Sequence, residues 1–185
     1  LVLGGHSMGS FIALAGAQAH GDKLDGLVLC GSDYHPPLYY RLMAALLKWQ
    51  RRRHGARGQS ALVHKLTFEA WARSVPDAST DFDWLSADPA QVNAYIEDPK
   101  CGFQCTTATW LALLSALADV QSSRGLSRLP TRLPMLLLGG RQDPMSSGGK
   151  GMDRLQQVLS RRRLPVERMD CPRGRHEILN DFCAP

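Results

Sequence analysis

The chain has 185 residues, enough for one compact domain, and 44% hydrophobic with 21% charged residues is ordinary globular composition, which excludes a disordered polymer. No apolar run approaches the roughly 18 residues of a membrane span, and no succession of charged, apolar and small residues typical of a secretory leader opens the chain. A cytoplasmic protein with at most peripheral contact with lipid surfaces is therefore expected. The net charge of +5 favours anionic surfaces, but the basic runs Arg51 to Arg53 (with His54 and Arg57) and Arg161 to Arg163 lack interleaved aromatics, which argues against nucleic acid as a partner.

Leu1 to Gly4 is a short apolar run that stops at a Gly pair, and Met8 to His20 then shows the small and apolar residues of a closely packed helix. The order is strand, sharp turn, helix. A domain rarely begins inside a buried strand, so a piece of a longer protein is expected. Gly26 to Gly31 (G-L-V-L-C-G) reads as a second buried strand and Met135 to Gly139 (M-L-L-L-G) as a third, introduced by Pro130 and Pro134. Gly149 to Ser160 reads as a helix and Pro165 to Asp170 as a fourth strand. Buried strands alternating with helices predict an α/β fold with a mostly parallel sheet covered on both faces.

Between the second and third strands lie about a hundred residues, far more than the few of an ordinary connection, so this stretch must be a subdomain. Tyr39, Leu42, Met43, Leu46 and Leu47 recur at helical spacing and Trp110 to Val120 makes another apolar helix, while Ser74 to Asp83 and Asp98 to Gly102 separate its elements. The expected organisation is a strand-helix-strand unit over 1–33, a helical cap over 34–128, and a C-terminal core segment over 129–185.

Five cysteines (Cys30, Cys101, Cys105, Cys171 and Cys183) are an odd number without C-x-x-C spacing, which predicts reduced thiols. Cys101 and Cys105 would share a helical face, but two further ligands at suitable spacing are missing, so no metal is expected. Nothing implies an organic cofactor.

The chemistry is concentrated in G-x-S-x-G, spelled by Gly5, His6, Ser7, Met8 and Gly9 between the first strand and its helix. A nucleophile on such a turn is held in strained geometry, and glycine two residues to either side is expected to let the neighbouring chain pass without clash. Ser7 would stand at a helix N-terminus whose partial positive charge favours a developing anion, with the Met8 amide as one donor of an oxyanion hole. A serine hydroxyl also needs an imidazole to take its proton and a carboxylate to fix that imidazole. Asp143 follows the third strand and His176 the fourth, each just past the strand end where sheets of this kind place functional loops. The order Ser, Asp, His is the one expected for a nucleophile elbow. Asp170 is a weaker rival for the acid, because it ends the fourth strand only six residues before His176. His20, His35, His54 and His64 are read as structural or solvated.

G-H-S-M-G, G-G-R-Q-D and G-R-H-E-I-L-N resemble the three catalytic motifs of the monoacylglycerol lipase and bacterial lysophospholipase branch of α/β-hydrolases, of the serine aminopeptidase S33 type. F-D-W-L-S-A-D (82–88) and A-Y-I-E-D-P-K-C-G-F (94–103) are similar to the cap of the bacterial members. The resemblance implies hydrolysis of carboxylic esters, monoacylglycerol or lysophospholipid among them, through an acyl-serine intermediate, with a lipid or small-molecule ester as substrate. It implies Ser7 as nucleophile, Asp143 as acid and His176 as base. Peptidase, thioesterase and acyltransferase chemistry on the same three residues, or a chain that is a non-catalytic fragment, are the alternatives. Ser10 stands where these proteins usually have Gly, and Asp181 where they usually have Glu. The second oxyanion donor comes, in the family, from a His-Gly loop before the elbow, which has no match here, and the first strand is expected to be a bare apolar edge.

Overall fold

The computed structural model describes residues 1–55 and 57–181, apart from the side chains of residues 53 and 54. Strands β1 (Val2–His6), β2 (Gly26–Cys30), β3 (Met135–Gly140) and β4 (Val166–Cys171) form one parallel sheet in chain order. Helix α1 (Met8–His20) packs on β1 and β2, and the last helix, Lys150–Arg161, packs on β3 and β4. The central strands are apolar throughout because helices cover them. Leu27 and Leu29 of β2 and Met135 and Leu137 of β3 join Ala13, Leu14 and Ala17 of α1 and Met152, Leu155 and Leu159 of the last helix in one core. The small residues of α1 allow the close approach expected of it. A Cβ at Gly16 would lie 3.2 Å from Leu3.

Among the described residues, six helices fill the long connection from β2 to β3. They are α2 (Pro37–His54), α3 (Ala61–Leu66), α4 (Phe68–Arg73), α5 (Pro89–Glu97), α6 (Thr107–Val120) and α7 (Ser123–Leu126), which makes Lys150–Arg161 α8. Side-chain oxygens of Ser60, Asp88, Thr106 and Ser122 cap α3, α5, α6 and α7 by accepting from Val63, Ala90, Thr109 and Gly125 amides. The antiparallel contact of α2 with α6 buries Tyr40, Ala44 and Leu47 against Leu111, Leu117 and Ala118.

The apolar run on α2 does not form one face. Leu47 is buried, Met43 and Leu46 line a cavity of about 280 Å³ with Leu62, Val63, Trp110 and Leu114, and Leu42 is 58% exposed. At about 100° per residue the four side chains fan over roughly 140°, wider than the strip that α6 covers.

Among the described residues β1 pairs only with β2, leaving Val2 61% exposed at the sheet edge. Cys30, Cys101 and Cys105 are free thiols, but Cys171 is disulfide-bonded, which corrects the expectation of reduced thiols throughout. An odd count leaves room for a bonded pair, and sequence spacing says nothing of cysteines that the fold brings together. Cys183 lies outside the described residues. No helix among them is long and apolar enough to cross a membrane.

Candidate active site

Ser7 occupies the turn between β1 and α1 with φ 53° and ψ −124°, a left-handed conformation that an L side chain rarely adopts. Three contacts hold it there. Its amide donates to the Cys30 carbonyl at 2.9 Å, extending the sheet ladder, while its own carbonyl accepts from the Ser10 amide at 2.9 Å and the Ser10 hydroxyl at 2.6 Å. Ser10, fully buried, is thus satisfied where the resembled family has Gly. Of the two motif glycines, steric need falls on Gly5, where a Cβ would meet the Gly9 carbonyl oxygen at 2.1 Å. A Cβ at Gly9 would meet nothing within 4 Å, so the described residues supply no steric reason for that glycine, contrary to expectation. Met8 begins α1, and its amide is one of the helix N–H groups without an intrahelical acceptor.

The turn after β3 presents Asp143 and the loop after β4 presents His176, and the two loops interlock. Gln142 donates its amide to the Gly174 carbonyl at 3.0 Å, and a Cβ at Gly140 would lie 2.1 Å from the carbonyl oxygens of Gly174 and Arg175. Asp143 has no exposed surface. One carboxylate oxygen accepts from the Met145 amide at 2.9 Å, and the other lies 3.2 Å from His176 Nδ1. A carboxylate only accepts, so the ring proton sits on Nδ1, and Nε2 is left to accept from the Ser7 hydroxyl at 2.9 Å. The structure therefore brings Ser7, His176 and Asp143 into one hydrogen-bonded chain. The rival carboxylate, Asp170, is engaged elsewhere, by Arg141 at 2.6 Å and Arg168 at 2.7 Å.

Of the other histidines, His20 ends α1 and His64 lies in α3. His35 pairs with Asp33 at 3.0 Å and stacks on Tyr39, and the side chain of His54 lies outside the described residues. His6 is different. Its Nε2 donates to the His176 carbonyl at 3.1 Å, and the two rings lie 4.8 Å apart. Burial, reinforced by the nearby His176, holds the His6 pKa below its ordinary value. Cys30, beneath the turn, has its thiol pushed up to about 12 by burial and by the negative charges of Asp143 and Glu177, so it remains protonated and inert.

Sequence reading missed three contributors. Gly31 (φ 54°) turns the chain away beside both rings, where a Cβ would lie 3.0 Å from His6 Nε2 and 3.2 Å from His176 Cε1. Trp84 lies with its ring centroid 5.3 Å from that of His176, and Arg175 bonds to the chain on either side of Trp84. A glycine closing a buried strand was the only local signal for the first. The others belong to contacts far apart in sequence.

The parallel sheet, strained serine turn and helical cap define an α/β-hydrolase. The family model described as "Serine aminopeptidase, S33" matches residues 1–182, and the chain belongs to that family. Among solved structures, it is similar to a highly thermostable carboxyl esterase from Bacillus coagulans in complex with glycerol, with TM-score 0.84 and 25% identity over 97% of this chain and 58% of that one. It is also similar to a lipase in an open form, with TM-score 0.81 and 25% identity over 98% and 59% of the two chains. A monoacylglycerol lipase from Paleococcus ferrophilus, at TM-score 0.64 and 24% identity over 98% and 62%, shares the fold. The chain thus spans less than two thirds of the length of each. No curated protein sequence matches it.

Proposed function

We propose that the protein hydrolyses carboxylic esters, monoacylglycerol or lysophospholipid acyl esters among them, with Ser7 as nucleophile, His176 as base and Asp143 as the acid that orients the base. The observation that carries this reading is the hydrogen-bonded chain from Ser7 Oγ through His176 Nε2 and Nδ1 to a buried Asp143. Ser7 Oγ attacks the ester carbonyl as its proton passes to His176 Nε2, and Asp143 steadies the imidazolium. The tetrahedral intermediate collapses to an acyl-serine, and His176 returns the proton to the departing alcohol. Water then attacks the acyl-serine, giving its proton to His176, which restores it to Ser7 as the carboxylic acid leaves. The Met8 amide, at the positive end of α1, supplies one hydrogen bond to the oxyanion. The likeness to a carboxyl esterase and a lipase supports an ester as substrate.

The family description favours a second reading, hydrolysis of aminoacyl amides by the same three residues. Reaction of the chain with a fluorophosphonate, beside a Ser7→Ala control, tests the nucleophile. Labelling that vanishes in the control is expected, and labelling that survives overturns the assignment. A panel of monoacylglycerols, lysophospholipids and aminoacyl amides separates the two readings, the first being expected to turn over esters by at least about tenfold in kcat/KM over amides.

A further inference from the structure

The geometry points to Arg175 as a positioning residue through which the cap sets the orientation of His176, an inference that rests on reading His176 as the base. Arg175 Nη1 donates to the carbonyls of Asp83 at 2.6 Å and Ser86 at 2.9 Å, so one guanidinium nitrogen spans a strap of cap residues between α4 and α5. The rest of the histidine loop continues the seam. The His176 amide donates to the Trp84 carbonyl at 3.4 Å and the Glu177 amide to the Leu85 carbonyl at 2.7 Å. Asp181 accepts from the Arg175 amide at 3.0 Å and from the Ala87 amide at 3.2 and 3.3 Å. Each residue from 83 to 87 thus bonds directly to the loop 175–181. The Trp84 ring, 5% exposed, lies against the imidazole and is itself wedged by Phe68 and Trp71.

The loop needs such an anchor. His176 must meet Ser7 on one side of its ring and Asp143 on the other, and a rotation of the ring of about 30° forfeits both hydrogen bonds. Within the core the loop is tied at its base by the Gly140 and Gln142 contacts with Gly174, at His176 by the His6 ring, and beyond it by Ile178, buried against Cys30 and Cys171. From Arg175 onward the His176 carbonyl accepts from His6 of β1, while the His176 and Glu177 amides and the Arg175 guanidinium all bond to the strap. At this seam the cap is part of the catalytic frame, and any displacement of residues 83–87 carries His176 with it. The expected signature is in kcat, since the strap contributes no group to a substrate's reacting atoms.

The test compares the full chain with Arg175→Met and Arg175→Lys. Against a fluorophosphonate, Arg175→Met is expected to label at least about tenfold more slowly at an unchanged final extent, with Lys, which keeps a donor, recovering part of the loss. Against a short ester, kcat falls by the same factor and KM stays within about twofold. A merely structural role would lower the fraction of chains that label and leave the rate of those that do untouched.

A second readout does not depend on activity. In a Ser7→Ala background, the proton NMR signal of His176 Nδ1–H, sheltered by Asp143, is expected to be sharp with Arg175 and lost to solvent exchange with Met. Should Arg175→Met fail to fold, Trp84→Leu removes the ring contact and is expected to act in the same direction. An unchanged labelling rate, or an unchanged Nδ1–H signal in the folded variant, overturns the inference. No labelling by the parent chain, with the signal behaving as described, sinks the reading of Ser7 and leaves the strap standing.

Discussion

His6 sits in the turn that carries Ser7, the proposed nucleophile, and its environment gives it a measurable effect on stability. Burial lowers its pKa from the ordinary 6.5, and the neighbouring His176 adds to the shift. Below about pH 6.5 the unfolded chain takes up a proton at this site that the folded chain refuses, so the unfolded state binds more protons and stability rises with pH. The contribution is complete above the unfolded pKa and is lost as pH falls toward the lower folded value. His6→Gln, whose amide can still donate to the His176 carbonyl, is expected to flatten the dependence of the urea midpoint on pH between about 5 and 7. A slope identical to that of the parent would show that His6 takes its proton equally well in both states. Ser10 and Gly31 work at the same scale. One accepts burial by bonding to the Ser7 carbonyl, and the other leaves the room in which the two imidazoles sit.

At the scale of elements, α8 is the clearest case of a sequence pattern becoming packing. Met152, Leu155 and Leu159 recur at helical spacing and are fully buried against β3 and β4. Leu159→Ala is expected to cost about 2–5 kcal/mol in urea unfolding. Ser160→Ala, on the exposed side, should stay within about 0.5 kcal/mol. A loss at Leu159 no larger than at Ser160 would mean that α8 does not hold the sheet together. The same periodicity made the strands and flanking helices readable from sequence, because parallel strands buried on both faces are continuous apolar runs and M-L-L-L-G and G-L-V-L-C-G are such runs. The positions of the candidate residues Ser7, Asp143 and His176 in the fold were readable for a related reason, each lying just past a strand that announces itself. The arrangement of the cap was not. The apolar residues of α2 fan over three environments, and no local pattern tells that Leu42 faces solvent while Leu47 meets α6. The seam between residues 83–87 and 175–181 joins segments about ninety residues apart largely through main-chain amides and carbonyls of the strap, which every residue possesses, so spacing carries no trace of it. Gly9 failed in the other direction, since a rule about clashes predicted a contact that these residues do not make.

At the scale of the sheet as a whole, one edge offers a surface on which copies of this 185-residue chain could meet. β2 and β3 have neighbours on both sides, but β1 has one among the described residues, and the backbone groups on its other side form an unpaired edge. Apolar surface lies beside it, with Val2 61% exposed and Met8 and Ile12 of the adjoining α1 at 51% and 63%. An edge of this kind pairs readily with another strand, and a charged side chain on it discourages pairing. The net charge of +5 opposes association only weakly at physiological salt, where repulsion is screened beyond about 8 Å. The 185-residue chain is therefore expected to self-associate as its concentration rises. Val2→Lys places a cation on the edge at a position already exposed, where the folded state loses little, and should shift the chain toward monomer. Sedimentation velocity over a range of concentrations reads both. Faster sedimentation of the parent at high concentration, relieved by Val2→Lys, identifies β1 as the contact. A single species at every concentration would show that the edge does not pair, and association untouched by Val2→Lys would move the contact off β1, to the other sheet edge at β4 or to the apolar surface of the cap, where Phe103, Leu38 and Leu42 are the most exposed apolar side chains.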